Sequence, residues 1–308
     1  MKTSLFAGLQ HILPHHLISR AVHCFVESRI PWLKNNLIHF IAKRYGVDMS
    51  EAEEERLEVY SNFNDFFTRA LKSDARPLPD DQQMIVSPAD GAISQIGAIN
   101  NGRIFQAKGH DYSLIELLGG DVKLSQEFMG GQFATVYLAP RDYHRVHTPA
   151  GGRLRQMIHV PGRLFSVNQE TVENIPNLFA RNERVISIFD TDNGPMAVIM
   201  VGAMIVASIE TVWAGLVTPH RKKVRRIDYR AGSQTTVELS RGDELGRFKM
   251  GSTAIILFGK DQVDWLKHWQ AGNSIKMGEA MGSAHQRAVK KPENGKRQDT
   301  DTATDTTL

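Results

Sequence analysis

The chain has 308 residues and is poor in cysteine, in long apolar runs and in net charge. Its single cysteine, Cys24, excludes an internal disulfide and a cysteine-rich metal site, and fits a reducing compartment. The longest largely apolar run, Pro195 to Ile209, has 15 residues. A membrane-spanning helix needs roughly 18–20, so we predict no transmembrane helix and interpret this run as a buried strand or a pair of strands. The net charge of +3 is too small to predict nucleic acid as a partner.

Hydrophobic residues make up 41% of the chain, which is typical of a globular protein with a core. Residues 1–60 are predicted to form an amphipathic helical region. After Pro14 and again after Pro31, apolar residues recur at the three- and four-residue spacing of a helix face. The two stripes are Leu17, Ile18, Val22, Phe25 and Leu33, Leu37, Ile41, Tyr45. A capping-box pattern, Ser50-Glu51-Ala52-Glu53, predicts the start of a third helix.

The first helices have two interpretations. Their apolar faces pack on the protein's own core, as most amphipathic helices do, or they lie in a membrane interface. Cationic residues flank both stripes and Trp32 suits the headgroup region, as an interfacial anchor requires. The residues alone do not separate the two interpretations.

From about residue 80 the chain consists of short alternating or β-branched runs between clusters of Gly, Pro, Asn and Asp. The predicted strands are Met84–Val86, Ala92–Ile96, Phe133–Leu138, Val185–Phe189, Ala197–Ile209, Thr235–Leu239 and Thr253–Phe258. No regular alternation of strand and helix is present, so we predict an α+β fold with a mainly antiparallel β core and an N-terminal helical layer that faces a membrane. The core spans residues 61–280, and the polar segment 281–308 is predicted to be a disordered tail.

Four segments carry functional groups, and each has an ordinary structural interpretation as well. Ser87–Gly91 has the composition of a surface turn. His144 and His147 suit a zinc site, a pair of structural histidines or acid–base catalysis, although no Cys or Glu stands at a familiar ligand spacing. The segment from Gly242 to Thr253 is a glycine turn entering a strand, or it exposes Ser252 beside a glycine whose carbonyl a nucleophile can reach. The basic run from Arg221 to Arg226 is a solvated face or a contact for anionic headgroups.

The segment from Arg247 to Thr253 resembles the processing motif of the bacterial and mitochondrial phosphatidylserine decarboxylases. Further landmarks of that family follow in its order over most of the chain. They are Phe66–Arg69 with Arg76 and Pro77, Ser87–Gly91, Lys108 and Gly109 with Tyr112, Pro140–His147, Leu164–Asn168, Leu178–Val185 and Val201–Ala203. The chain departs from the family at Met250 (usually leucine), Thr148 (often methionine) and Ala207 (often glycine), and none of these changes removes a catalytic group.

The resemblance implies a precursor that cleaves itself between Gly251 and Ser252. In the family's pattern, Ser252 is the nucleophile, His147 its base and Asp90 the carboxylate that orients the histidine, which is the logic of a catalytic triad. Cleavage would leave a β chain of residues 1–251 and an α chain of residues 252–308. Ser252 would become a pyruvoyl group, the covalent cofactor and the Schiff-base electrophile for the substrate amine.

The resemblance also implies conversion of phosphatidylserine to phosphatidylethanolamine and carbon dioxide, without a metal. His144 is then the residue expected to act in decarboxylation, and Ser166 is expected to line the substrate pocket. Because the substrate is a bilayer lipid, peripheral attachment to the cytoplasmic side of the cell membrane is expected, which favours the anchor interpretation of residues 1–45. A homodimer is expected on the same ground.

Three other functions compete with this one. A hydrolase would use the same serine, histidine and aspartate on an external ester, but no serine stands in a G-x-S-x-G elbow. A soluble pyruvoyl enzyme acting on a free amino acid does not need the membrane-like N-terminus. A non-enzymatic scaffold would be expected to lack one of Ser252, His147 and Asp90, and all three are present.

Overall fold

The computed structural model describes residues 22, 24–204, 208–218, 223–229, 236–249 and 253–285. The α-helices in these ranges are α1 (Pro31–Tyr45), α2 (Phe63–Phe67), α3 (Leu114–Leu117), α4 (Val122–Gln126), α5 (Gln169–Asn174) and α6 (Leu178–Arg181). The strands are β1 (Met84–Val86), β2 (Gly91–Ala98), β3 (Arg103–Ala107), β4 (His110–Ser113), β5 (Gln132–Tyr137), β6 (Arg145–His147), β7 (Gly152–Val160), β8 (Arg184–Thr191), β9 (Gly194–Val201), β10 (Ser208–Thr211), β11 (Gly215–Leu216), β12 (Arg225–Asp228), β13 (Glu238–Leu239), β14 (Glu244–Lys249), β15 (Thr253–Phe258), β16 (Val263–Trp265), β17 (Ser274–Ile275) and β18 (Ala280–Ala284).

The predicted antiparallel β core is confirmed. A nine-stranded sheet has the order β12-β7-β8-β9-β15-β5-β2-β17, with β13 paired to the edge of β7. A four-stranded sheet has the order β11-β10-β14-β6, and β1, β18 and β16 form a third sheet. Neighbouring strands within these sheets pair antiparallel. Two apolar cores lie on the two faces of the large sheet, because its strands alternate their side chains between them.

The second predicted amphipathic helix is confirmed as α1. Pro31 occupies its first turn, and Gly46 ends it in the left-handed conformation with its N–H bonded to the Ala42 carbonyl. Ile38 is fully buried in a small apolar core with the aromatic residues of α2. Two members of the first predicted stripe, Leu17 and Ile18, lie outside the described residues.

The prediction of a helix that starts at the Ser50 capping box is wrong. Ser50 bonds to the Asp48 carboxylate, and Ala52 forms an antiparallel bridge with Leu71. Glu51 is bound instead by Arg76. These contacts occupy the Ser50 hydroxyl and hold Glu51 and Ala52, so the predicted helix does not form. A short 3-10 helix follows at Leu57–Val59.

Most predicted strands are confirmed, and β1 and β15 have the predicted bounds. The run Ala197–Ile209, predicted as one buried strand or a pair, contributes to two strands, β9 and β10. At the C-terminal end β18 continues through Ala284 and pairs with both β1 and β16. The sheet thus extends past residue 281, where the tail was expected to begin, and residues 286–308 lie outside the described ranges. Among the described residues no helix combines the length and the apolar character needed to cross a bilayer.

The link between β14 and β15 joins the small sheet to the centre of the large one. β14 pairs with β6 and β10, whereas β15 pairs along its whole length with β5 and β9. Every residue of β15 is buried. The end of β14 at Lys249 and the start of β15 at Thr253 therefore belong to different sheets.

Candidate active site

The two histidines of the candidate site are positioned by a tight turn followed by a short strand. The turn starts at Ala139, whose carbonyl accepts the Asp142 N–H at 2.9 Å. Pro140 at its second position has the backbone angle that such a turn needs, and the Asp142 carboxylate returns to the Ala139 N–H at 2.7 Å. The chain then enters β6, which pairs with β14 so that His147 lies opposite Glu244. The local sequence thus fixes the turn that precedes His144, whereas the pairing of β6 with β14 positions His147.

His144 is fully buried and held on two sides. Its Nε2 lies 3.1 Å from the Ala139 carbonyl, and its ring stacks on Phe67 of α2 with 3.9 Å between ring centres. Because a carbonyl oxygen only accepts, Nε2 carries the proton and Nδ1 has the lone pair. Nδ1 is buried and has no hydrogen-bond partner among the described residues. Burial, reinforced by the nearby charge of Arg69, lowers the pKa of His144 to about 3, so the ring is neutral near pH 7.

His147 is the last residue of β6. It is buried, and a backbone carbonyl orients its ring. Its Nδ1–H donates to the Gly242 carbonyl at 2.8 Å, which leaves the lone pair on Nε2. The Tyr143 hydroxyl lies 3.1 Å from Nε2 and donates to it. Burial lowers the pKa of His147 below its usual value. The ring is therefore a neutral base whose basic nitrogen is covered by a tyrosine hydroxyl.

The turn that supplies the Gly242 carbonyl is itself held by Thr148. The Gly242 N–H donates to the Thr148 carbonyl at 2.9 Å, and the Thr148 hydroxyl donates to the Ser240 carbonyl at 2.5 Å. Gly242 has a φ of +84°, which a glycine adopts without strain. Threonine at position 148 thus stabilises the turn that orients His147.

Asp90 is buried immediately before β2 and accepts three hydrogen bonds from two residues. Its carboxylate accepts both Arg76 Nε, at 2.9 Å, and Arg76 Nη2, and it also accepts the Met277 N–H at 2.8 Å. Arg76 reaches Glu51 as well, and this hydrogen bond is the main reason that the pKa of Glu51 is lowered to about 2. The predicted partner of Asp90, His147, donates its backbone N–H to the Pro88 carbonyl at 2.8 Å, so the two residues are neighbours. Their side chains, however, bond to other groups in the described structure.

Gly251 and Ser252 lie outside the described residues, but the strand that follows them is fixed. Thr253, the first residue of β15, lies opposite Tyr137 of β5, and Tyr137 lies opposite Ala92 of β2. Two strand spacings, about 10 Å in all, therefore separate Thr253 from Ala92. β2, which follows Asp90, and β15 therefore begin at the same end of the large sheet.

A cavity of about 350 Å³ opens at this end of the sheet. It is lined by Ile41, Tyr45, Phe63, Phe67, Tyr137, Leu138, Pro140, Ser166, Val167, Asn168, Ala203 and Met204. Ser166 is half-buried in this lining. Phe67 belongs to both the cavity and the stack on His144, so the cavity and the histidine share a wall.

The structure adds site residues to which the sequence analysis gave no role. Phe67, Arg76 and Tyr143 stand inside quoted landmarks, yet nothing in their spacing indicates stacking, ion pairing or capping of a histidine. The Gly242 carbonyl is a backbone group and has no signature in a sequence. For the Ala139 carbonyl a signal was present, since Pro140 and Asp142 predict the turn that presents it.

Comparison with known proteins is consistent with this arrangement. A family model described as phosphatidylserine decarboxylase matches residues 63–283, and a second, described as PSD, matches residues 5–46. A phosphatidylserine decarboxylase proenzyme of Ectopseudomonas mendocina (strain ymp) is 61% identical over 284 residues, which cover 92% of this chain and 99% of the relative. The proenzyme of Pseudomonas fluorescens (strain Pf0-1) is 58% identical over 285 residues, covering 92% of this chain and 100% of the relative.

These matches cover most of the chain and identify the protein as a decarboxylase, an enzyme that removes carbon dioxide from its substrate. The chain belongs to the phosphatidylserine decarboxylase family.

Proposed function

We propose that this decarboxylase is made as a precursor that cleaves itself between Gly251 and Ser252 and then uses Ser252, converted to a pyruvoyl group, to turn phosphatidylserine into phosphatidylethanolamine. The observation that carries the proposal is that β15 begins at Thr253, at the sheet end where Asp90 precedes β2 and the cavity opens. His144 shares Phe67 with the cavity wall, and His147 adjoins Asp90 through the Pro88 carbonyl.

The cleavage uses only groups of the chain itself. The Ser252 hydroxyl attacks the Gly251 carbonyl and replaces the amide by an ester, while its proton passes to His147 Nε2 and from there to the amine nitrogen that the amide releases. Loss of the α-proton of Ser252 then expels the Gly251 carboxylate and leaves dehydroalanine. Addition of water and loss of ammonia convert dehydroalanine to the pyruvoyl group. For the first step the Tyr143 hydroxyl must leave Nε2, because it covers that lone pair in the structure.

The two chains are expected to stay together after cleavage. The α chain would have 57 residues (308 minus 251). Its first strand, β15, is buried between β5 and β9 and pairs with both over all six residues. Removing this strand would expose the centre of both apolar cores, at a cost far above the stability of an ordinary domain.

The residues at the sheet end fit a pyruvoyl group and an amino-acid headgroup. The cavity places the polar side chains of Ser166 and Asn168 near the start of β15, and His144 presents a buried Nδ1 without a described partner. A pyruvoyl group supplies a conjugated carbonyl that accepts the electrons left when carbon dioxide departs. His144 is neutral in the structure, and a bound carboxylate nearby would raise its pKa, so that it takes up a proton and returns it to the substrate.

Replacing Asp90 by asparagine tests the third member of the proposed triad. Asp90→Asn removes a negative charge beside His147 and leaves Arg76 short of one partner, so we expect cleavage to slow by about tenfold to a hundredfold. The half-time of precursor loss, followed by intact mass, measures the effect.

Glu51→Gln is the matched control, because Glu51 is the other carboxylate bound to Arg76. Both variants lose a buried ion-pair partner and are expected to lose stability. If Glu51→Gln cleaves as slowly as Asp90→Asn at equal stability, Asp90 acts only through the fold and the triad assignment is wrong.

The proposal includes peripheral attachment to the cytoplasmic side of the cell membrane through α1. Trp32 and Phe40 are 68% and 63% exposed on this helix, and Lys43 and Arg44 stand in its last turn. Large apolar side chains beside cations are the pattern of an interfacial helix. The same helix lines the cavity through Ile41 and Tyr45, which would place the pocket mouth at the lipid.

Substitution on this exposed face tests the attachment while leaving the core intact. Trp32→Ser/Phe40→Ser is expected to lower the vesicle partition coefficient about tenfold or more, because two large apolar groups lose their place in the interface. Deletion of the helix would be less informative, since Ile38 belongs to the core. Val212→Ser/Met129→Ser is the control, because both residues are exposed and adjoin strand ends distant from residue 252. Equal partitioning of the two variants in a flotation assay would refute a role of α1.

A homodimer is the remaining part of the proposal and rests on the family resemblance. Light scattering of the purified protein should give twice the 34.5 kDa of one chain.

A further inference from the structure

A second exposed surface combines apolar and cationic side chains, on elements far from α1 in the chain. Its apolar members are Ile115, Val122 and Val224, which are 39%, 56% and 39% exposed. Its cationic members are Lys123, Lys223 and Arg225, all exposed. We call these six residues the β12 surface. We propose that the β12 surface docks on an anionic bilayer, as a second membrane contact beside the active site.

The β12 surface is one continuous structure although it comes from two parts of the chain. Arg226 donates to the Gly119 carbonyl at 3.4 Å and pairs with Asp121 at 3.6 Å, which ties β12 to the loop between α3 and α4. That loop is closed by a hydrogen bond of 2.8 Å from the Gly120 N–H to the Ile115 carbonyl. Val224 lies directly beside Gly119. The three apolar side chains therefore belong to segments that contact one another: α3, α4 and the residue before β12.

The register of the large sheet places the β12 surface at the active-site end. Arg225 lies opposite His159, and the same row runs across the sheet through Val185, Met200 and Ala254. Ala254 stands two residues after Ser252. Four strand spacings, about 19 Å, separate Arg225 from Ala254 along this row. The chain before Arg225 and the chain before Thr253 thus leave the sheet at the same end.

The chemistry of the β12 surface matches an anionic lipid surface. Each lysine or arginine near a charged bilayer contributes about 1 kcal/mol of attraction, and the exposed valine and isoleucine side chains are available to enter the headgroup region. Glu116 and Asp121 oppose this charge, but Asp121 is paired with Arg226. A single-stranded nucleic acid would instead require aromatic rings on which bases stack, and the six residues offer none.

This inference deepens the proposed function, because it presumes an enzyme that works on a bilayer lipid. Contacts at α1 and at the β12 surface would hold the end of the sheet against the membrane at two places. A protein attached at two places has less freedom to tilt, so the cavity mouth would be presented to the lipid more often.

The test compares matched variants of the full-length, processed protein on vesicles. Lys223→Gln/Arg225→Gln is expected to reduce partitioning into phosphatidylcholine vesicles containing phosphatidylglycerol by about 30-fold. Partitioning into pure phosphatidylcholine should not change. Val122→Ser/Val224→Ser should weaken binding to both kinds of vesicle. Lys260→Gln/Lys267→Gln removes the same charge elsewhere, since Lys260 follows the far end of β15, and should bind like the unaltered protein.

Decarboxylation of a dissolved, short-chain phosphatidylserine provides the second measurement. It should be the same for every one of these variants, since none of the altered residues touches the cavity. Undiminished binding of Lys223→Gln/Arg225→Gln to anionic vesicles would overturn the inference, as would an equal loss in the Lys260/Lys267 control. Loss of binding to a single-stranded oligonucleotide, with vesicle binding intact, would assign the surface to nucleic acid and also overturn it.

The arms of this experiment separate the inference from the proposal on which it rests. If the unaltered protein binds vesicles and only the α1 variant loses binding, the β12 surface is not a membrane contact and the proposed function stands. If the unaltered protein decarboxylates dissolved lipid but binds neither kind of vesicle, membrane attachment itself is refuted, and the β12 inference falls with it.

Discussion

Ser252→Ala is expected to give one uncleaved chain of 34.5 kDa with no decarboxylase activity. Alanine has no hydroxyl to attack the Gly251 carbonyl, so neither the ester nor the pyruvoyl group can form. The effect should be complete, because one residue supplies both the nucleophile of cleavage and the electrophile of decarboxylation. The fold should be unaffected, since β15 begins after this position.

Intact-mass analysis and a carbon dioxide release assay on the same preparation measure both losses. Ser274→Ala is a suitable control, because Ser274 is an exposed serine at the start of β17, another strand of the large sheet. It should cleave and decarboxylate normally. A Ser252→Ala protein that still appears as two chains, or a fully active protein that is never cut, would contradict the proposed mechanism.

The two histidines of β6 are expected to separate the two stages of the reaction. His147→Ala should accumulate precursor, because it removes the base. In the unaltered protein the Gly242 carbonyl accepts the Nδ1–H of this ring, which leaves the lone pair on Nε2. His144→Ala should still yield two chains but decarboxylate about 10²- to 10⁴-fold more slowly, the usual loss for an acid–base group. Mass analysis measures the first stage and turnover of dissolved phosphatidylserine measures the second.

His268→Ala is the control for both variants, since His268 is exposed on the turn after β16. A His147→Ala protein that cleaves at the normal rate would remove His147 from the mechanism. The converse pattern, with His144→Ala blocking cleavage, would exchange the two assignments. Loss of both activities in both variants together with a lowered unfolding temperature would mean that the histidines serve the fold.

The pH dependence of cleavage adds an independent check on His147. Burial lowers its pKa, so the ring stays neutral, and able to accept a proton, to a lower pH than an exposed histidine. The cleavage rate should therefore be flat through pH 6.5, where a free histidine titrates, and fall only at a lower pH. An inflection at or above pH 6.5 would contradict this environment for the base.

Much of the β core was predictable because its strands are encoded locally. β1 and β15 are dense in β-branched and apolar residues, and their bounds were predicted from composition. β6 and β14 were not predicted, because charged residues and a glycine interrupt their apolar residues and make these segments resemble loops. These two strands are defined by pairing with each other, which is a non-local interaction.

The capping-box error has the same origin. Ser50 and Glu53 satisfy a local rule for a helix start, yet Glu51 is drawn to Arg76 and Ala52 to Leu71. A charge-assisted hydrogen bond in a partly buried site is stronger than the preference of one helix turn. Local propensity was overruled by contacts about twenty residues away in the chain.

The sequence by itself determined the chemical groups of this protein and their order, and through the family resemblance the reaction expected of them. It also determined the turn that carries His144, because Pro140 and Asp142 act on their own neighbours. Only the tertiary structure decided which groups meet: Gly242 with His147, Phe67 with His144, and Arg76 with Asp90. The physical reason is that these contacts depend on strand register and on the packing of α2, which are set by cooperative burial of the whole core and by no single segment.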